Sequence, residues 1–254
     1  LARGAPFALP LMAILLAHEM GHYCMARRHG VAVTPPFFIP FPAYWSIVGT
    51  LGAFIRIEGP TVRRPILFDI GAGGPLASFL LSIPIFLVGM GMSEVASGPV
   101  EAVTPFVLPF AGHAVWLGDA GVLHALAALR FPDALGASPI VLHPVAFAGW
   151  LGFFLTALNL LPMGQLDGGH VLYSLSGRVQ GRAGRLFLLA LLPLGLLWWG
   201  WWLWAVVAWA VNRGRMTHPP VLQEEVRLGA VRRALAWACV AIFLLTFVPV
   251  PVEL

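Results

Sequence analysis

Apolar residues run along this chain in long blocks separated by short arginine-bearing turns, rather than alternating with polar positions. A helix needs about 20 such residues to cross a bilayer, and the blocks predict spans at about residues 6–28, 66–92, 144–162, 184–198, 199–212 and 230–248. The stretch 184–212 also reads as one long tilted helix, although Pro193, Gly195 and Gly200 interrupt it. Charge separates the two readings. As one span it divides the arginines between both sides of the membrane; as a tight pair it leaves nearly all of them, from Arg27 to Arg233, on one side, which the positive-inside rule favours. The expected fold is an α-helical polytopic membrane protein with about six transmembrane segments, forming a single embedded domain over residues 1–254.

Three regions depart from that pattern. Residues 34–60 are apolar but dense in Pro, Gly, aromatic and β-branched residues, which disfavours a helix and suits strands with turns. Such backbone lies at membrane depth only where protein or water satisfies its polar groups, so a re-entrant β-hairpin beside an active site is expected. Residues 93–142 are only moderately apolar and are broken by Pro105, Pro109, Gly112, Asp119, Pro132 and Pro139; short interfacial helices and loop are expected there. The second span opens with Asp69-Ile-Gly-Ala-Gly-Gly-Pro75, whose small residues allow another helix to approach closely.

Composition agrees. Of 254 residues, 59% are hydrophobic and 10% charged, against about 25% charged in a soluble domain, and the mean hydropathy is +0.86. The basic excess comes from 15 arginines and no lysine, clustered at the ends of apolar runs, which marks topology and argues against nucleic acid as a partner. The tryptophans between Trp198 and Trp209 suit an interfacial belt or helix packing. Cys24 and Cys239 form no metal-binding or redox motif. The first apolar run carries no initiator Met and no cleavage pattern, so it reads as a span, and the natural chain is expected to extend further upstream.

Within the first span, His18-Glu-Met-Gly-His22 places two imidazoles one turn apart on one helix face, with an acid beside the first. That spacing offers two ligands to a metal, and Glu19 becomes a candidate general base. Ionisable groups at bilayer depth are costly and by default functional, which favours a metal site over a chance polar cluster. A catalytic zinc needs a third protein ligand. Asp167, His170, His113, His124 and His143 are candidates. Asp167 stands out because it lies in the Pro-Gly-rich turn after the third span, although an Asp there also suits an Asx-turn that caps the next helix. Asn159, in an apolar run, is either a donor to a developing oxyanion or a helix-to-helix hydrogen bond.

Together, the HExxH motif, the Gly-Pro turn opening the next span and Asn159-x-x-Pro162-x-x-x-x-Asp167-Gly168 resemble the site-2 protease family of intramembrane zinc metalloproteases. Residues 38–57, His143-Pro-Val-Ala-Phe-Ala-Gly-Trp150, Leu166-Asp-Gly-Gly169 and the tail 217–254 are similar to its compact branch of plastid and bacterial members, which lacks PDZ and cystathionine-synthase-type domains. The resemblance implies His18, His22 and Asp167 as zinc ligands, Glu19 as acid/base, and Asn159 as a substrate or oxyanion contact. It implies transmembrane-helix protein substrates cut within the bilayer. Gly49 and Gly52, in the strand region, are candidate substrate contacts through strand addition. The expected location is a bacterial cell membrane with the site nearer the cytosolic side. A metal transporter and a non-catalytic scaffold are the rival readings; oligomeric state is not legible.

Overall fold

In the computed structural model, residues 4–40, 50–55, 63–96, 104–110, 113–135, 137–223 and 225–253 are described. Each apolar block folds as a helix: α1 (Ala5–Arg28), α2 (Arg64–Gly91), α4 (Pro144–Asn159), α6 (Gly177–Leu197), α7 (Gly200–Val211) and α8 (Ala230–Thr246). Two of these, α2 and α6, are long and apolar enough to cross a membrane. Two further helices, α3 (Gly121–Ala128) and α5 (Asp167–Leu175), lie outside the predicted blocks. At Trp198 the backbone turns extended (φ −149°, ψ 114°), and α6 and α7 pack against each other as a tight pair.

Residues 34–60 contribute two strands, β1 (Phe37–Pro40) and β2 (Thr50–Phe54), paired antiparallel with Phe37 opposite Phe54. Gly52 lies on β2, whereas Gly49 falls outside the described residues.

Residues 93–142 correct the expectation of interfacial helices and loop. Strands β3 (Glu94–Val95), β4 (Phe106–Phe110), β5 (His113–Leu117) and β6 (Ile140–Val141) join β7 (Val252–Glu253) in one sheet of order β3-β6-β4-β5-β7, and α3 is the only helix among the described residues of that region. The β-branched and aromatic residues of Phe106-Val-Leu-Pro-Phe110 and His113-Ala-Val-Trp-Leu117 drive the hairpin. Pro109, which reads as loop punctuation, instead sits near the hairpin end of β4, beyond the two residues of β4 that pair with β6, while Gly112 lies outside the described residues. Phe86, Phe106, Trp150 and Phe153 bury this sheet against α2 and α4, and the Trp150 indole donates to the Gly118 carbonyl at 2.8 Å.

Polar contacts gather at the opposite end. Asp69, near the start of α2, receives a bidentate pair from Arg232 of α8 (2.8 Å each) and bonds the His29 ring just past α1 (2.7 Å). One carboxylate thus ties three helix ends together. The outward faces of α6 and α8 carry large apolar side chains, with Leu186, Leu196, Val231 and Leu244 all exposed.

Removing that carboxylate should loosen α8 from α1 and α2. Asp69→Ala is expected to cost about 1 to 2 kcal/mol, between the values for exposed and buried pairs, read as a lower Tm in detergent. An unchanged Tm would show the three helices to be held by apolar packing alone.

Candidate metal centre

The HExxH helix can come close to α2 because both are stripped of side chains where they cross. A Cβ on Gly21 would lie 2.2 Å from the Gly73 carbonyl oxygen, and one on Gly74 would lie 2.2 Å from His22 Nε2. The glycine-rich opening of α2 is therefore what admits α1, as its sequence predicted.

Both imidazoles are buried and each is held from behind. His22 Nδ1 donates to the Ile70 carbonyl at 2.7 Å, which leaves Nε2 of the neutral ring as a bare lone pair. His18 Nδ1 lies 3.2 Å from Ser78 Oγ, whose own hydroxyl is within 3.2 Å of the Gly74 and Pro75 carbonyls and 3.0 Å of Thr156 Oγ1. With Ser78 donating to a carbonyl and accepting from His18, Nε2 of His18 is bare as well. The two Nε2 atoms are 3.0 Å apart, and Asp167 Oδ2 is 3.3 Å from each.

As neutral rings in these tautomers, the two imidazoles and the carboxylate face one another with lone pairs that repel, and a cation between them removes the repulsion. Four-coordinate zinc, with ligand bonds of about 2.0 to 2.1 Å, holds its donors about 3.3 Å apart, so the donor set fits. Among the described residues this is the one cluster of three metal-capable side chains.

The remaining candidates are placed as follows. Asn159, the last residue of α4, brings Nδ2 to 3.4 Å from His18 Nε2. The Glu19 carboxylate accepts a hydrogen bond from the backbone of Ile55, which links it to the end of β2. His170, the rival third ligand, turns instead to His218 (Nδ1 to Nε2, 2.8 Å). His124 pairs with Asp119 at 2.8 Å and His143 caps α4, while His113 is exposed on β5; all three lie at the sheet end.

Sequence reasoning missed the residues that hold the turn carrying Asp167. Asn212 Oδ1 accepts from the Gln165 N–H at 2.7 Å while its amide donates to the Ala208 carbonyl at 2.8 Å. Fully buried Gln180 donates to the Met216 carbonyl (2.9 Å) and the Pro162 carbonyl (3.3 Å), and its Oε1 accepts from the His218 N–H (2.9 Å). The Gly164 N–H reaches Met216 O at 3.1 Å. The segment after α7 thus wraps the 162–167 turn and fixes where α5 begins.

The comparisons with known proteins follow the same residues. The model of Peptidase family M50 matches residues 6–192, which include all three donors. This chain belongs to Peptidase family M50. It is 33% identical over 250 residues to "Probable zinc metalloprotease EGY1, chloroplastic" of Oryza sativa subsp. japonica, covering 98% of this chain and 41% of that protein. It is 33% identical over 229 residues to "Probable zinc metalloprotease EGY2, chloroplastic" of Arabidopsis thaliana, covering 87% of this chain and 37% of that one. The chain therefore spans about two fifths of the length of these curated relatives. No solved structure matches. The site-2 protease resemblance is borne out by this M50 membership, and with it a place among membrane proteins.

Gln180→Leu takes the side-chain partner from the Pro162 carbonyl and the His218 N–H and leaves the Met216 carbonyl with the Gly164 N–H, at about 1 to 3 kcal/mol for each group left unpaired. Tm is expected to fall by several degrees, whereas Gln165→Ala, which touches the turn only through its main chain, leaves Tm unchanged. Equal Tm values for the two variants would refute the wrapping role of Gln180.

Proposed function

We propose that this chain is the catalytic core of an intramembrane zinc protease that hydrolyses peptide bonds within transmembrane segments of membrane proteins. The observation that carries the reading is the convergence of His18, His22 and Asp167 on one point, with two of the donors on a helix that belongs to an apolar bundle. The zinc in the names of the plant relatives is consistent with that donor set.

His18 Nε2, His22 Nε2 and Asp167 Oδ2 would hold the ion. When bound, zinc supplies a Lewis acid that polarises a carbonyl and acidifies water at neutral pH. Glu19, next to His18, is the base that accepts the proton from the attacking water and returns it to the leaving amine. The Asn159 amide, beside His18, donates to the oxygen on which negative charge develops. Ser78 and the Ile70 carbonyl keep both rings turned so that their Nε2 atoms face the reacting centre.

A substrate helix hides its carbonyls in its own hydrogen bonds and must unwind to be cut. The β1–β2 pair, linked to Glu19 through Ile55, offers an edge to which an extended substrate adds as a strand, with Gly52 of β2 leaving room for its backbone. In this reading residues 1–254 form one embedded domain, the six predicted helices lie within the bilayer, and the hairpin dips into it beside the site. The arginine-rich end faces the cytosol by the positive-inside rule. A bacterial cell membrane is inferred from residue usage alone, since the relatives named above are plant proteins.

A transporter would need further ligand sites along a path, and a scaffold would have no use for an acid beside a complete ligand set. Glu19→Gln is expected to keep about one zinc per chain while cleavage of a helical model substrate drops by roughly 100-fold or more. Asp167→Ala should lose the metal and the cleavage together. Full cleavage by Glu19→Gln, or by protein freed of metal with a chelator, would end the protease reading.

A further inference from the structure

A second polar feature lies apart from the metal centre. A cleft of about 980 Å³ opens at the arginine-bearing end, with α5 as its floor and the starts of α6 and α8 as its walls. Arg178 comes from α6, Arg227 from the segment before α8, and Arg233 from α8 itself, while Arg64 of α2 lies over the Tyr173 ring at 5.5 Å. Neighbouring cations are matched: Arg232 by Asp69 and Arg63 by Gln223. Arg178, Arg227 and Arg233 have no side-chain partner among the described residues, and no carboxylate is among the described residues lining the cleft.

Elements remote in sequence have thus brought guanidiniums together with nothing described to neutralise them. Ser176 adds a hydroxyl donor: its Oγ accepts from the Val179 N–H at 3.4 Å, which leaves its own proton to give. Guanidinium forks and hydroxyls are the groups that recognise phosphate oxygens. The lining also has an apolar part, Leu175 and Leu228. Just beyond it, the outward faces of α6 and α8 present Val179 and Leu186, and Val231 and Leu235, all exposed. A ligand with a phosphate at the arginines and hydrocarbon running down these two faces matches both parts.

We propose that this cleft binds the phosphate of an anionic phospholipid headgroup, which sits between α6 and α8 and bridges them to α5. The site is separate from the metal centre, and its occupancy does not depend on what that centre cleaves.

The test uses the full chain in a neutral detergent, with native mass spectrometry counting bound phosphatidylglycerol and phosphatidylcholine. Each arginine near an anionic membrane surface contributes about fivefold in affinity, so Arg178→Gln/Arg227→Gln/Arg233→Gln should bind phosphatidylglycerol roughly 100-fold more weakly. Phosphatidylcholine should bind both proteins alike. Arg213→Gln/Arg215→Gln, which removes charge at the same end but outside the cleft, should bind as wild type does. If the triple variant does not fold, Arg227→Gln and Arg233→Gln alone carry the test at about fivefold each. Inorganic phosphate is then added as competitor: displacement of the lipid assigns the site to phosphate in general, and retention assigns it to the lipid. Undiminished phosphatidylglycerol binding in the cleft variants, or equal loss in Arg213→Gln/Arg215→Gln, overturns the proposal.

Discussion

Three metal-capable side chains that have to face one another are the constraint around which this molecule is arranged. Two come from a helix near the start of the chain and the third from a turn more than halfway along it, so every contact between those regions bears on their spacing. Gly21, Gly73 and Gly74 let α1 and α2 approach until the imidazoles reach the acid. Ser78 and the Ile70 carbonyl choose the tautomers. Such an arrangement is unfavourable without a cation, which makes the fold of the centre and the binding of an ion aspects of one equilibrium.

The two ends of the bundle divide the work. At one end a five-stranded sheet closes over α2 and α4 through Phe86, Phe106 and Trp150, an apolar lid with no metal-capable cluster among its described residues. The other end holds the Asp69 tie, the wrapped 162–167 turn and the arginine cleft. The donors lie nearer this polar end, since Ile70, which anchors His22, is the residue after Asp69.

Much of this was legible in the sequence, for identifiable reasons. Helix positions followed apolar run length, although α6 begins at Gly177, ahead of the apolar run expected from 184, and His18 and His22 followed helical periodicity, because both signals are local. Asp167 stood out by its place in the Pro-Gly-rich turn and the resemblance raised it above His170; in the structure His218 draws His170 away, and it lies 48 residues further along the chain. The sheet at residues 93–142 escaped because its strands are short and its prolines sit at hairpin ends, where they look like loop. Asn212 carried a signal that was not used: like Asn159 it ends an apolar run, and a buried amide there needs partners. Gln180 offered none, since it lies among Arg178 and Arg182 and reads as a solvated helix face.

Helix length has one further consequence. At 1.5 Å of rise per residue, the sixteen residues of α4 and the twelve of α7 reach only about 24 and 18 Å. A hydrocarbon layer is about 30 Å thick. Both are too short to cross such a layer, and α4, none of whose residues is exposed, is enclosed by protein. A helix so enclosed stops inside the bundle, which is where its last residue, Asn159, has to be to stand beside His18.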